Sequence, residues 1–392
     1  MTRQSFRPEV ERLETRAVPA GNVLVNVSAS GAMSIVGDNA SNSIRITQAE
    51  PGSGIFTVSG EDGTLVNGGG SYTNLRSVTR GVSINMRGGD DTVIIGAEPP
   101  SETALEFHNV VTPGDLEIRT GDGDDTVRIE YAHVMDDLEI DTGSGIDHVV
   151  VEYSTVDGDA DVRTDGGADT VYLEWLSVAG DLDVRTGSDG DQVDIEYSDV
   201  GGNTRIRTDG GADSVSVYGS YFNQDVRVRT GDDGDFVYFT TGEGAPRTTI
   251  DGDLHIDTDG GSDEVELYAV RVAGDATIRT GSGDDRVYVT TGIVAPDSDI
   301  GGSLVIRTGR GDDFVRVEDT TVGGDTFISL GRGDDTLEVA NSTFNGAFRA
   351  RGRSNTTLEP GDVFVDCNNS YLGLYSVTGF EFIDECDDEE VG

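Results

Sequence analysis

The chain has 392 residues, 74 of them acidic and 27 basic, for a formal net charge of −47, and every basic residue is arginine. An acid excess of this size repels phosphate backbones and anionic membranes, which excludes nucleic acid as an expected partner. The chain also lacks the apolar run of about 18 residues that a transmembrane helix needs.

Residues 1–20 are expected to be a targeting or export leader. They lack the apolar stretch of an ordinary secretory signal. Through Arg7-Pro8, Val10-Glu11, Leu13-Glu14, Arg16 and Pro19-Ala20 they resemble the L-E-x-R motif of large planctomycete exported proteins, where it precedes long repeat regions. The resemblance implies export, to an extracellular or cell-surface location. Residues 21–80 alternate in short β-branched runs (Val23–Val27, Met33–Val36, Ser43–Ile46, Phe56–Val58) separated by Gly, Asn and Asp. They read as an N-terminal β cap.

Residues 81–348 are a repeat array. Its fixed point is an aspartate two residues before a valine or leucine: Asp91, Asp125, Asp147, Asp169, Asp191, Asp213, Asp235, Asp263, Asp285, Asp313 and Asp335. Most steps between them are 22 residues, with longer ones of 28 and 34. A period this strict marks a solenoid, which a domain count from length alone would miss. Within the coil Asp181–Gly202, Val184, Val193 and Val200 each begin an apolar ladder through the other coils. Three inward strips per coil predict an all-β parallel β-helix of about eleven 22-residue coils, stacked about 4.8 Å apart into a rod of roughly 50 Å. Residues 349–392 lose the period and read as a C-terminal β cap and acidic tail. Cys367 and Cys386 lie here; one small disulfide loop and two unpaired thiols are both open readings.

The stacked aspartates carry the main chemical signal. Two bare carboxylates 4.8 Å apart repel by about 0.9 kcal/mol in water, and several-fold more in a partly buried turn. Further acids crowd the same turns: Asp122, Asp124, Asp165, Asp189, Asp209, Asp232, Asp233, Asp259, Asp284, Asp312 and Asp334. Calcium is the expected counter-charge, because it is hard, takes six to eight oxygens and tolerates irregular geometry. Both sets of acids are therefore candidate metal ligands. The alternative is that each fixed aspartate caps its own turn through backbone N–H groups. Gly121–Val127, Gly281–Val287, Gly309–Val315 and Gly331–Leu337 resemble the glycine-aspartate nonapeptide of hemolysin-type (RTX) calcium-binding repeats. That resemblance implies calcium ligation by these turns. It departs from the family in holding one motif per 22 residues, with Thr120 in place of a first glycine.

A second column, Asp115, Asp137, Asp159, Asp181, Asp225, Asp253, Asp275 and Asp325, is replaced by Asn203 and Ser303 in two coils, so turn capping explains it. Tyr131, Tyr153, Trp175 and Tyr197 share one position after Glu130, Glu152, Glu174 and Glu196. They suggest either a carbohydrate groove or a packing ladder. Insertions near Gly96–Phe107, Phe239–Thr249 and Val289–Asp299 fall at one corner, an expected interaction edge. The expected function is an exported, calcium-binding surface, matrix or adhesion module whose partner is a surface polysaccharide or matrix protein. No catalytic residues are assigned. The competing reading is a polysaccharide lyase or glycosidase on the same fold, by fold analogy alone.

Overall fold

The computed structural model describes residues 21–73, 77–96, 110–241, 245–291, 297–353 and 361–385. The export leader lies outside these residues, as do most of the insertions and the acidic tail. Strands are the only regular elements among the described residues. They form three long sheets of 16, 16 and 12 strands in which almost every neighbour is one coil away in sequence and parallel. The chain is a parallel β-helix.

One coil shows how the sequence produces this. Leu182–Arg185 lies in the first sheet, Gln192–Glu196 in the second and Asp199–Val200 in the third. Alternation sends Leu182, Val184, Val193 and Ile195 inward, and Val200 joins them from the third sheet; all five are fully buried. The register keeps like above like. Val184 pairs with Val162 and Ile206, Val193 with Val171 and Val215, and Val200 with Val178 and Phe222. Each predicted apolar ladder is therefore a physical column through a single continuous core.

At the N-terminal end the stacking becomes antiparallel. Asn22–Val27 pairs with Met33–Val36, and Ser43–Gln48 with Phe56–Glu61. These hairpins cover the first coil's open edge, which would otherwise invite strand addition. At the other end the stacking stays parallel. Past residue 349 the period is lost but parallel stacking continues: Val363–Cys367 pairs with Thr336–Ala340, and Tyr375–Thr378 with Phe348–Arg351. Aromatic packing replaces the valine columns there, with ring centroids of Phe344 and Phe348 4.8 Å apart, Phe348 and Tyr371 5.0 Å, and Phe364 and Phe380 5.5 Å. Bulkier side chains fill the end of the core without the 22-residue spacing. Cys367 is disulfide-bonded, and the chain's only other cysteine is Cys386.

Candidate functional site

Every coil turns sharply between its first and second sheets, and all the predicted metal ligands lie on this corner. The turn needs a left-handed backbone at two places, one and three residues after the threonine. Gly145 illustrates the second, at φ 137°, where a Cβ would overlap the carbonyl oxygen of Gly123 one coil below. Asp165, Asp209 and Asp259 occupy the first place at φ 62°, 62° and 58°; Asp189 and Asp233 occupy the second at 79° and 78°. These five acids replace glycine because Asp tolerates this conformation better than most residues. The signal was present in the sequence, since Gly and Asp exchange at the same offsets.

The eleven fixed aspartates point the other way, into the rod, and are buried. In all but Asp91, Oδ1 accepts the backbone N–H of the aspartate one coil earlier: Asp125 N–H to Asp147 at 2.9 Å, Asp169 to Asp191 at 2.9 Å, Asp285 to Asp313 at 3.0 Å. The cap is therefore between coils, and not the self-capping Asx-turn considered above. The column also extends beyond the repeats. Asn42 donates its N–H to Asp91 at 2.7 Å, and Asp335 donates to Asp362 at 3.2 Å. Both end members sit two residues before an inward apolar residue (Ile44, Phe364), the same local signature, hidden by irregular spacing.

The second oxygen of these carboxyls is poorly served. Thr258 and Thr280 donate to Oδ2 of Asp263 and Asp285 at 2.5 Å. In Asp91, Asp125, Asp147, Asp169, Asp191, Asp213, Asp235, Asp313 and Asp335, Oδ2 is buried with no hydrogen-bond partner. Burial accordingly pushes the carboxyl pKa up, to about 7 for Asp91, Asp169, Asp235, Asp313 and Asp335. It rises to about 6 for Asp125, Asp191 and Asp263, and is raised also at Asp147, Asp213 and Asp285. The accepted N–H and the neighbouring threonine hydroxyl, Thr120 beside Asp125 for example, oppose burial without cancelling it.

The remaining candidates face solvent. Asp124 and its equivalents Asp284 and Asp312 accept the N–H of the following coil: Ile146 to Asp124, Asp312 to Asp284 and Asp334 to Asp312, at 2.8, 2.8 and 2.9 Å. Asp122 accepts the Ser144 hydroxyl at 2.8 Å. For Asp122, Asp124, Asp284 and Asp312, no arginine lies within ion-pairing distance among the described residues. Arginines instead serve the strand faces, where Arg119 pairs with Glu139 at 2.9 Å and Arg185 with Asp183 at 2.5 Å. Such half-exposed pairs contribute about 0–1 kcal/mol each.

The corner is built from hard oxygen donors, which suits calcium chemistry. Among the described residues, carboxylates from three residues come within 4.8 Å of one another at one place only: Asp115 and Asp137 of the second column, with Asp136. A cation at the turn corner would thus be held by one or two carboxylates, with backbone carbonyls and water completing the shell. The second column otherwise caps turns as expected, with Asp159 N–H to Asp137 and Asn203 N–H to Asp181 at 2.8 and 2.7 Å.

The aromatic column packs face to face. Ring centroids of Tyr131–Tyr153, Tyr153–Trp175 and Trp175–Tyr197 are 5.0, 6.4 and 4.7 Å apart, with planes within 10°. Ring faces are thus spent on one another, and a sugar needs a free face, so this is a packing ladder. All four residues are left-handed, at φ 49–51°. At the insertion corner, Arg247 donates to the carbonyls of Ala269 and Val270, each at 3.3 Å, and to that of Asp297, tying the two later insertions together.

No family model and no curated protein matches the chain. Among solved structures, it is similar to a hyperactive, Ca2+-dependent, beta-helical antifreeze protein from an Antarctic bacterium. The two are 22% identical, the match covers 73% of this chain and 79% of that one, and the TM-score is 0.44. Similarity at this level carries neither ligand nor function across.

Proposed function

We propose that the chain is an exported β-solenoid that binds calcium at its turn corner and serves as a surface, matrix or adhesion module. The observation that carries this reading is the uncompensated corner. Buried Oδ2 atoms without a donor stand behind exposed Asp122, Asp124 and Asp312, and these three, like Asp284, have no arginine within ion-pairing distance among the described residues. Calcium supplies the counter-charge such a column of oxygens lacks. Export fits the disulfide at Cys367, which persists in an oxidising compartment. No helix among the described residues is long and apolar enough to cross a membrane.

Isothermal titration of the chelated protein with calcium tests the reading. Saturable binding, weakened by Asp124→Asn together with Asp312→Asn, is expected. Heats no larger than those of magnesium, unchanged in that double variant, would refute a calcium site at this corner.

A further inference from the structure

The corner column two residues after the threonine has an unusual history along the rod. It holds Gly, Ser or Asp in every coil from Gly88 through Asp122, Ser144 and Gly166 to Ser282, with all of them in register. In the last two repeats it holds Arg310 and Arg332, which pair directly across adjacent coils. One coil further on, Arg351 stacks on Ser329 in the neighbouring strand column. Together with Arg353 these side chains line a groove of about 750 Å³ that also includes Ser282 and Ser329. All four arginines are exposed. Among the described residues, none has a carboxylate within ion-pairing distance and no carboxylate lines the groove. In a chain with 74 acids against 27 arginines, such a gathering runs against composition.

We propose that this groove binds the anionic groups of an extended acidic polysaccharide. Guanidinium forks match sulfate and carboxylate oxygens in a bidentate way. The arginines are spaced by the coil repeat of about 4.8 Å, so the groove presents a short row of cationic sites to a polymer carrying charges at regular intervals. The net charge of −47 repels polyanions at long range. Screening confines that repulsion to about 8 Å at physiological ionic strength, and the described lining of the groove itself carries four guanidiniums and no carboxylate. A nucleic-acid strand is the less favoured occupant, because the described lining of the groove has no aromatic ring on which bases could stack. The site lies at the C-terminal end of the same turn corner, with Arg310 and Arg332 two residues before Asp312 and Asp334, and it does not require calcium.

The test uses the full chain with chelator present at physiological ionic strength. Heparin serves as the sulfated probe, polygalacturonate as the carboxylated one, and a single-stranded oligonucleotide as the comparison. Arg310→Ser with Arg332→Ser restores a residue this column already holds at Ser144, Ser188 and Ser282, so folding is preserved. Binding of at least one glycan, weakened about tenfold or more in this double variant, is the expected result; which probe binds identifies sulfate or carboxylate as the ligand. Arg227→Ser with Arg286→Ser, two exposed arginines elsewhere, removes equal charge and should leave binding intact. The proposal is overturned if neither glycan binds, if both double variants behave alike, or if the oligonucleotide binds at least as tightly. Binding that appears only when calcium replaces the chelator, and survives Arg310→Ser with Arg332→Ser, also overturns it, while leaving the calcium reading standing.

Discussion

At the scale of single residues, two neighbouring aspartates in one turn do opposite things. Asp124 faces solvent and takes an N–H from the coil after it; Asp125 faces the core and gives its own N–H to Asp147. In the sequence only the fixed spacing to valine separates them, because composition does not reveal which side of a turn a side chain leaves. The inner role predicts a contrast at Asp191. Asp191→Asn keeps an oxygen for the Asp169 N–H and removes a buried charge, so at pH 8 in chelator the protein should be as stable as the parent or more so. Asp191→Ala strands that N–H and should cost about 1–3 kcal/mol. Urea denaturation of both variants distinguishes them.

Columns of residues behave as units. The inner aspartates titrate near 3.8 when unperturbed and at about 6 to 7 in the fold where a value is resolved. The folded chain therefore holds these protons more tightly than the unfolded chain does. The resulting stabilisation is complete below about pH 4 and is lost as pH rises through 6 to 7. Without calcium, melting temperature should thus be higher at pH 5 than at pH 8, and a flat or inverted profile would contradict the buried ladder. In the aromatic column, left-handed backbone is offset by stacking worth about 0.5–1.5 kcal/mol per pair. Trp175→Ala loses the stacking and keeps the strain, whereas Trp175→Gly relieves it. The glycine variant should be about 1 kcal/mol the more stable of the two by chemical denaturation.

Across the whole molecule, the rod was legible because the fold repeats itself. The columns of Val184, Val193 and Val200 could be read by aligning coils, and the registers bear them out. Legibility failed where periodicity failed. Asn42 and Asp362 close the ladder from outside the array, and the final strands stack in parallel on aromatic packing that carries no 22-residue signal. The arginine groove was hidden for a different reason: Arg310, Arg332, Arg351 and Arg353 are spread over the sequence and meet only because coils stack.

The central claim is that calcium neutralises the acidic corner, and its most direct test is scanning calorimetry at pH 8 in chelator and in millimolar calcium, repeated at pH 5. The account predicts a higher melting temperature in calcium, with a larger increment at pH 8, where the inner carboxyls are ionised. A melting temperature that does not move in calcium at pH 8 would contradict it.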